Sequence, residues 1–230
     1  MLNKEKHKGI LIRVLKDIYT DNTLGPALGF KGGTAAMLFY NLDRFSVDLD
    51  FDLLDVARED EVFEKVGEIV GRYGTIKDQR KKHFTLFYEM SYSAVDRNVK
   101  VEISRRNFSS KYEAMNYFGI LMNVMVKEDM FANKLTALYE RVERANRDIF
   151  DVWFFLQNNW PIDKALAEKR TGISFKELVA ACIEKLEKVP DRSILSGMGE
   201  LLDDKQKSWT KAKLKAETLF LLRVMLDNET

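Results

Sequence analysis

LGFKGGTAAMLFYNLDRFSVDLDFDLL, residues 28–54, holds two periodicities in one run. It reads as a short strand at Leu28–Phe30, a tight turn at Gly32-Gly33, a helix over Thr34–Asn41 and then a second strand. In that strand Val47, Leu49, Phe51 and Leu53 alternate with Asp48, Asp50 and Asp52. A period of two sets successive side chains on opposite faces, so the apolar set enters a core while Asp48 and Asp50 project side by side. Carboxylates held that close repel unless a divalent cation lies between them or one takes a proton. Hard oxygen ligands of this kind suit Mg²⁺ or Mn²⁺. The plain alternative is an exposed strand face marked by alternating aspartates. Glycines ahead of a helix let a phosphate approach backbone N–H groups at the positive end of the dipole, and the Thr34 hydroxyl can add a hydrogen bond.

Outward from this run, residues 4–20 place Ile10, Leu11, Val14, Leu15 and Ile18 on one helical face, and 58–73 return to helical spacing through Val62, Val66, Ile69 and Val70. HFTLFYEMSY (83–92) and VKVEIS (99–104) flank the turn-like AVDRN and predict an antiparallel hairpin, and GILMNVMV (119–126) predicts another strand. In VKVEIS, Glu102 lies on the polar side. If this strand neighbours the Asp48–Asp50 strand, Glu102 joins the same acidic group, as two-metal phosphoryl transfer requires of its bridging acids. An exposed Lys100–Glu102 face is the competing view. From about residue 127 the pattern becomes all helical: KEDMFANKLTALYERVERA, then DIFDVWFFLQ after a polar AN-R break, a helix opened by Ser174 with Glu177, and an amphipathic helix over 207–227. An α/β unit over 1–126 followed by a helical unit over 127–230 is expected.

Composition excludes much. The 230 residues carry 37 Lys+Arg against 36 Asp+Glu, a net charge of +1, so coating of nucleic acid by bulk charge is disfavoured. Local basic stretches remain: Lys77, Arg80, Lys81, Lys82 and His83, and around Glu102 the residues Arg97, Lys100, Arg105, Arg106 and Lys111. They could guide an anionic acceptor, although charge runs are usually solvated surface. With 46% apolar residues, 12 Gly and 3 Pro, disorder and collagen-like repetition are ruled out, and a lone Cys182 in an apolar pattern reads as a small core residue in a reducing compartment. His7, His83 and Cys182 are too scattered for a zinc site. No run nears the ~20 apolar residues of a membrane span, LFLLRVML (219–226) being broken by Arg223. The opening MLNKEKHKGILIRVLKDIY lacks signal-peptide features, so a cytoplasmic protein with no membrane association is expected.

The run KGGTAAMLFYNLDRFSVDLDF resembles the signature of the AbiEii/AbiGii toxin family, nucleotidyltransferases of the DNA-polymerase-beta-like superfamily. Arg44, Ser46 and the D-x-D stand where that pattern has them. ANKLTALYER and NRDIFDVWFFL resemble the family's two later motifs, with Lys134, then Arg147, Asp148 and Asp151; Val152 replaces the usual Leu. The resemblance spans roughly 28–156, and no motif is recognised from 160 onward. It implies an α+β nucleotidyltransferase fold, a small mixed sheet with flanking helices, followed by an all-helical C-terminal region that contributes to the active-site cleft. It also implies Asp48, Asp50 and Glu102 as catalytic metal ligands for Mg²⁺ or Mn²⁺. Gly32, Gly33, Thr34, Ser46, Arg147 and Asp151 would bind the NTP. Lys134 and Asp148 would complete the catalytic set, Lys134 neutralising triphosphate charge and Asp148 orienting that lysine or acting near the attacking group. The implied activity is NMP transfer from an NTP to an acceptor, with tRNA foremost, by the toxin of a type IV toxin–antitoxin or phage-abortive-infection pair that has an antitoxin partner. Transfer to a protein hydroxyl and a non-catalytic nucleotide-binding module are the rival possibilities. Without the resemblance, Lys134 is one more charge on a charged helix, Arg147–Asp151 an i,i+4 pair, and Trp153, Phe154 and Phe155 helix-packing core.

Overall fold

A computed structural model describes residues 2–94, 96–142 and 146–229. Val95 of the AVDRN turn and Ala145 of the polar break lie outside the described residues. The chain divides into two units, Met1–Val126 and Lys127–Thr230.

The first unit opens with α1 (Lys4–Thr20), whose Asn3 side chain accepts from the Lys6 amide and caps it. Ile10, Leu11, Val14, Leu15 and Ile18 are buried, as the 3.6-residue spacing predicts. The one-turn helix α2 (Leu24–Ala27), β1 (Leu28–Lys31), α3 (Gly32–Phe39), β2 (Leu49–Leu53) and α4 (Glu59–Gly71) follow. Then come β3 (Thr75–Lys81), β4 (Thr85–Ser91), β5 (Val99–Ser104), β6 (Tyr112–Tyr117) and β7 (Ile120–Met125). The strands form a mixed sheet in the order β3-β4-β5-β2-β1-β7-β6. Strand β2 is antiparallel to β1 and parallel to β5, and β1 is parallel to β7. One face carries Phe30, Phe51, Val101, Ile103 and Tyr88, all fully buried. Tyr19 of α1 rests on Phe51, and the Tyr88 hydroxyl donates to the Phe63 carbonyl of α4 at 2.9 Å, so α1 and α4 cover this face. The opposite face carries the half-buried acids of β2 and β5.

Several boundaries differ from those the pattern predicts. Gly32 and Gly33 are not a turn ahead of a helix but its first residues, and the helix stops at Phe39, with Asn41 at φ 59 reversing the chain. The second strand starts at Leu49, leaving Val47 and Asp48 ahead of the ladder. The basic run 77–83 is largely strand β3, which the pattern does not reveal. It is a sheet edge with little burial, so no apolar alternation is required of it. Strand β6, at the other edge, escapes notice for the same reason.

The second unit is helical: α5 (Lys127–Arg141), α6 (Arg147–Gln157), α7 (Lys164–Thr171) and α8 (Phe175–Lys188), then α9 (Asp204–Trp209) and α10 (Lys215–Asp227). Ser174 and Glu177 form the reciprocal capping box at the start of α8. The helix expected over 207–227 begins earlier and passes through a π-helical turn at Thr210–Leu214 between α9 and α10. Phe131, Leu135, Phe150, Phe155, Leu178 and Leu222 are core residues. Cys182 is buried among them, and burial pushes its thiol up to about 12, as suits a packing residue rather than a nucleophile. No helix among the described residues is long and apolar enough to cross a membrane.

Candidate active site

Sheet register places two of the sequence-predicted acids, Asp50 and Glu102, side by side, while Asp48 precedes the ladder. Asp50 of β2 lies opposite Glu102 of β5 and, on its other side, opposite Lys31 of β1. Glu102 in turn faces Phe87 of β4, which faces Arg80 of β3. A single row thus runs Lys31, Asp50, Glu102, Phe87, Arg80 across five strands. Parallel pairing of β2 with β5 is what makes Asp50 and Glu102 direct neighbours, because cross-strand partners share a face.

The start of α3 is built against this row. Gly32 has φ +79, and a β-carbon there would come within 2.9 Å of the Asp50 β-carbon and 3.0 Å of its carboxyl carbon. Only glycine combines that backbone with that approach. A β-carbon on Gly33 would meet the Arg44 guanidinium at 2.8 Å and the Ser46 hydroxyl at 2.9 Å, so both side chains wrap the second glycine. The helix takes no side-chain bond from its N-cap residue Lys31, and its first-turn N–H groups therefore depend on other partners. Thr34 is fully buried, and its hydroxyl donates to the Asp48 carbonyl at 2.5 Å. Its oxygen positions Asp48 rather than pointing outward.

The three aspartates of the alternating run have different surroundings. Asp52 accepts from Lys31 Nζ at 2.6 Å and from the Tyr112 hydroxyl, so it is engaged within the sheet. Asp48 stands before the strand, its main chain held by Thr34 and, one residue earlier, by His7. His7 Nε2 is 2.9 Å from the Val47 carbonyl, and Nδ1 is 2.7 Å from the Tyr92 hydroxyl. Burial holds the His7 ring below the ordinary histidine range, although its bond to Val47 works the other way. The sequence gives no clue to this residue beyond a polar side chain on the apolar face of α1.

Among the described residues, no three His, Cys, Asp or Glu side chains are gathered as a ready metal cage. Mg²⁺ in phosphoryl-transfer sites commonly takes one or two carboxylates and completes its shell with water and substrate phosphates. The half-buried Asp50–Glu102 pair, with Asp48 two residues away, fits that requirement in donor chemistry and strand placement.

The second unit has a polar cluster of its own. Lys134 of α5 lies 3.0 Å from Asp148 and 2.7 Å from Asp151, both on α6, and Arg141 lies 2.8 Å from Asp148. Both carboxylates are fully buried. Burial alone would raise the Asp148 carboxyl, but Lys134 and Arg141 outweigh it and hold the group below the usual carboxylate range. Lys134 is therefore no solvated surface charge. Arg147, at the start of α6, is half-buried. Phe155 stacks on Trp160, while Trp153 packs on Trp209 and donates to Glu217, so these aromatics are helix packing.

The two basic stretches are sorted by structure. Arg105 is bound by Glu59 and by the carbonyls of Lys82 and His83, and Lys81 is paired with Asp60. Lys82 lies over the Phe87 ring at 3.4 Å and Arg106 over the exposed Phe84 ring at 4.3 Å. Arg80, at the end of the row that contains Glu102, is paired with Asp78 at 3.1 Å, and Lys82 sits over Phe87 of the same row.

A family model described as the nucleotidyl transferase AbiEii toxin of type IV toxin–antitoxin systems matches residues 13–218. The chain belongs to this family. Among solved structures this AbiEii-family chain is similar to JHP933 from Helicobacter pylori, at 18% identity and a TM-score of 0.59 over 100% of this chain and 96% of that one. It is also similar to a protein described as a candidate nucleotidyltransferase from the same organism, at 20% identity and a TM-score of 0.58 over 99% and 97%. The shared fold is the expected nucleotidyltransferase fold with its helical C-terminal region. No curated protein matches the chain.

Proposed function

We propose that this AbiEii-family chain transfers a nucleoside monophosphate from an NTP to an RNA acceptor, tRNA foremost, in a divalent-metal-dependent reaction. In this reading it is the toxin of its type IV pair, acting in the cytoplasm where NTP and RNA are found and serving defence against phage. One observation carries the proposal: Asp50, register-matched to Glu102, lies against the glycine start of α3. Asp48, Asp50 and Glu102 would hold Mg²⁺ or Mn²⁺, which when bound stabilises negative charge on the transferring phosphoryl group. Gly32 and Gly33 leave room for the triphosphate at the helix start, with Arg44 and Ser46 fixing the second glycine and Thr34 fixing Asp48. Lys134, held by Asp148 and Asp151, is proposed to neutralise triphosphate charge, with Arg147 beside that cluster. The acceptor hydroxyl attacks the α-phosphorus in line and pyrophosphate leaves; the protein supplies position and charge.

The test is incubation of the purified chain with each labelled NTP and total RNA, with and without Mg²⁺. The expected result is RNase-sensitive label that disappears without the metal and in Asp48→Ala and Asp50→Ala variants of unchanged fold. Protease-sensitive label would assign the acceptor to protein. NTP binding without pyrophosphate release, or transfer retained by either variant, would overturn the proposal.

A further inference from the structure

The ladder of β2 begins at Leu49, paired with Val101, so the two residues before it have no strand register to fix them. Yet Val47 and Asp48 are where the proposed site needs most rigidity. The Val47 carbonyl is a buried acceptor and the Asp48 carbonyl a part-buried one; such groups require partners, and two side chains from separate helices provide them. Thr34 of α3 donates to the Asp48 carbonyl, and His7 of α1, forty positions before Val47, bonds the carbonyl of Val47. A carbonyl only accepts, so Nε2 must carry the ring proton. Nδ1 then presents a lone pair to Tyr92, whose hydroxyl donates to it. His7 is fully enclosed, with Phe45 and Tyr92 rings edge-on at 6.0 and 5.5 Å. The relay therefore runs from Tyr92, beyond the end of β4, through α1 to the peptide that precedes Asp48. His7 lies outside the residues matched by the family model.

We propose that His7, backed by Tyr92, is a positioning residue for Asp48: by pinning the Val47 carbonyl while Thr34 pins the next one, it aims the Asp48 carboxylate for a divalent cation. The proposal rests on the metal-dependent reading above. An apolar side chain at position 7 would leave the Val47 carbonyl buried without its donor and free the peptide to rotate. Glutamine would not, because its side-chain amide can donate from a similar position.

The test compares the full-length wild type with His7→Leu, His7→Gln and Tyr92→Phe. Three quantities are read: Mn²⁺ affinity from the electron paramagnetic resonance of free Mn²⁺, amide hydrogen exchange over residues 44–50, and the Mg²⁺ concentration giving half-maximal transfer. His7→Leu is expected to weaken Mn²⁺ by about tenfold or more, the usual effect of removing a group that orients a ligand. Exchange should speed up in 44–50 while the helices of the second unit keep theirs, and the Mg²⁺ requirement should rise. His7→Gln should stay within about threefold of wild type, and Tyr92→Phe should fall between the two. If His7→Leu does not fold, Tyr92→Phe and His7→Gln decide by the same readings. Unchanged Mn²⁺ affinity and exchange in His7→Leu or Tyr92→Phe, exchange that rises throughout the chain, or a His7→Gln variant as impaired as His7→Leu would each overturn the proposal. A wild-type chain that binds no Mn²⁺ and transfers nothing would instead sink the proposed function. Exchange over 44–50 would then still decide whether His7 positions this segment.

Discussion

Gly32 illustrates how much one residue carries. Its φ of +79 and its contact with the Asp50 side chain impose independent demands, and no residue with a β-carbon meets both. Gly32→Ala should cost about 1–3 kcal/mol through the strained backbone and displace Asp50, so that transfer falls further than stability does; denaturant melts beside initial rates would show the split. Lys134 makes the opposite case, a charge whose removal leaves others stranded. Lys134→Met should destabilise by about 3–5 kcal/mol because Asp148 and Asp151 lose a shared buried cation. The sign with pH follows from the lowered Asp148 pKa. Its contribution is present above the unfolded carboxylate value, ~3.9, and is lost as pH falls through the lower folded value. Circular dichroism from pH 7 to 2 should therefore show Lys134→Met unfolding at a higher pH than wild type. Residue types and spacing pointed to Asp48, Asp50 and Glu102. They did not separate Asp52, which looks identical in the alternation but is engaged by Lys31 and Tyr112. Nor did they show that the Thr34 hydroxyl turns inward to Asp48.

Elements were legible in proportion to how one-sided their burial is. Strand β5 alternates buried and half-buried residues along its whole length, and α1 buries a clean stripe, so both stand out in the sequence. Edge strands β3 and β6 bury little and carry no such period. The capping box at α8 was also readable, since it depends on residues only three apart. Ser174→Ala should cost about 1 kcal/mol and leave transfer activity unchanged, which a thermal melt and a single rate measurement would check.

At the scale of the molecule, a net charge of +1 coexists with local cations around β4: Lys82 and Arg80, the latter paired with Asp78, lie against Phe87 of the Glu102 row and Arg106 lies over Phe84, while Arg105 and Lys81 are tied to Glu59 and Asp60 of α4. Replacing Arg80, Lys82 and Arg106 together by Ala should raise the KM for RNA, leave the KM for NTP unchanged and flatten the salt dependence by about 2–3 in log–log slope. Titrations of rate against RNA at two salt concentrations would test this. Helical and alternating patterns, the glycine pair and the D-x-D were visible in the chain alone, because each depends on neighbours within a few residues. The side-by-side parallel placement of β2 and β5, the approach of Gly32 to Asp50 and the grip of His7 on Val47 join residues 18 to 52 positions apart. Register between distant segments is set by packing of the whole sheet, and no local spacing encodes it.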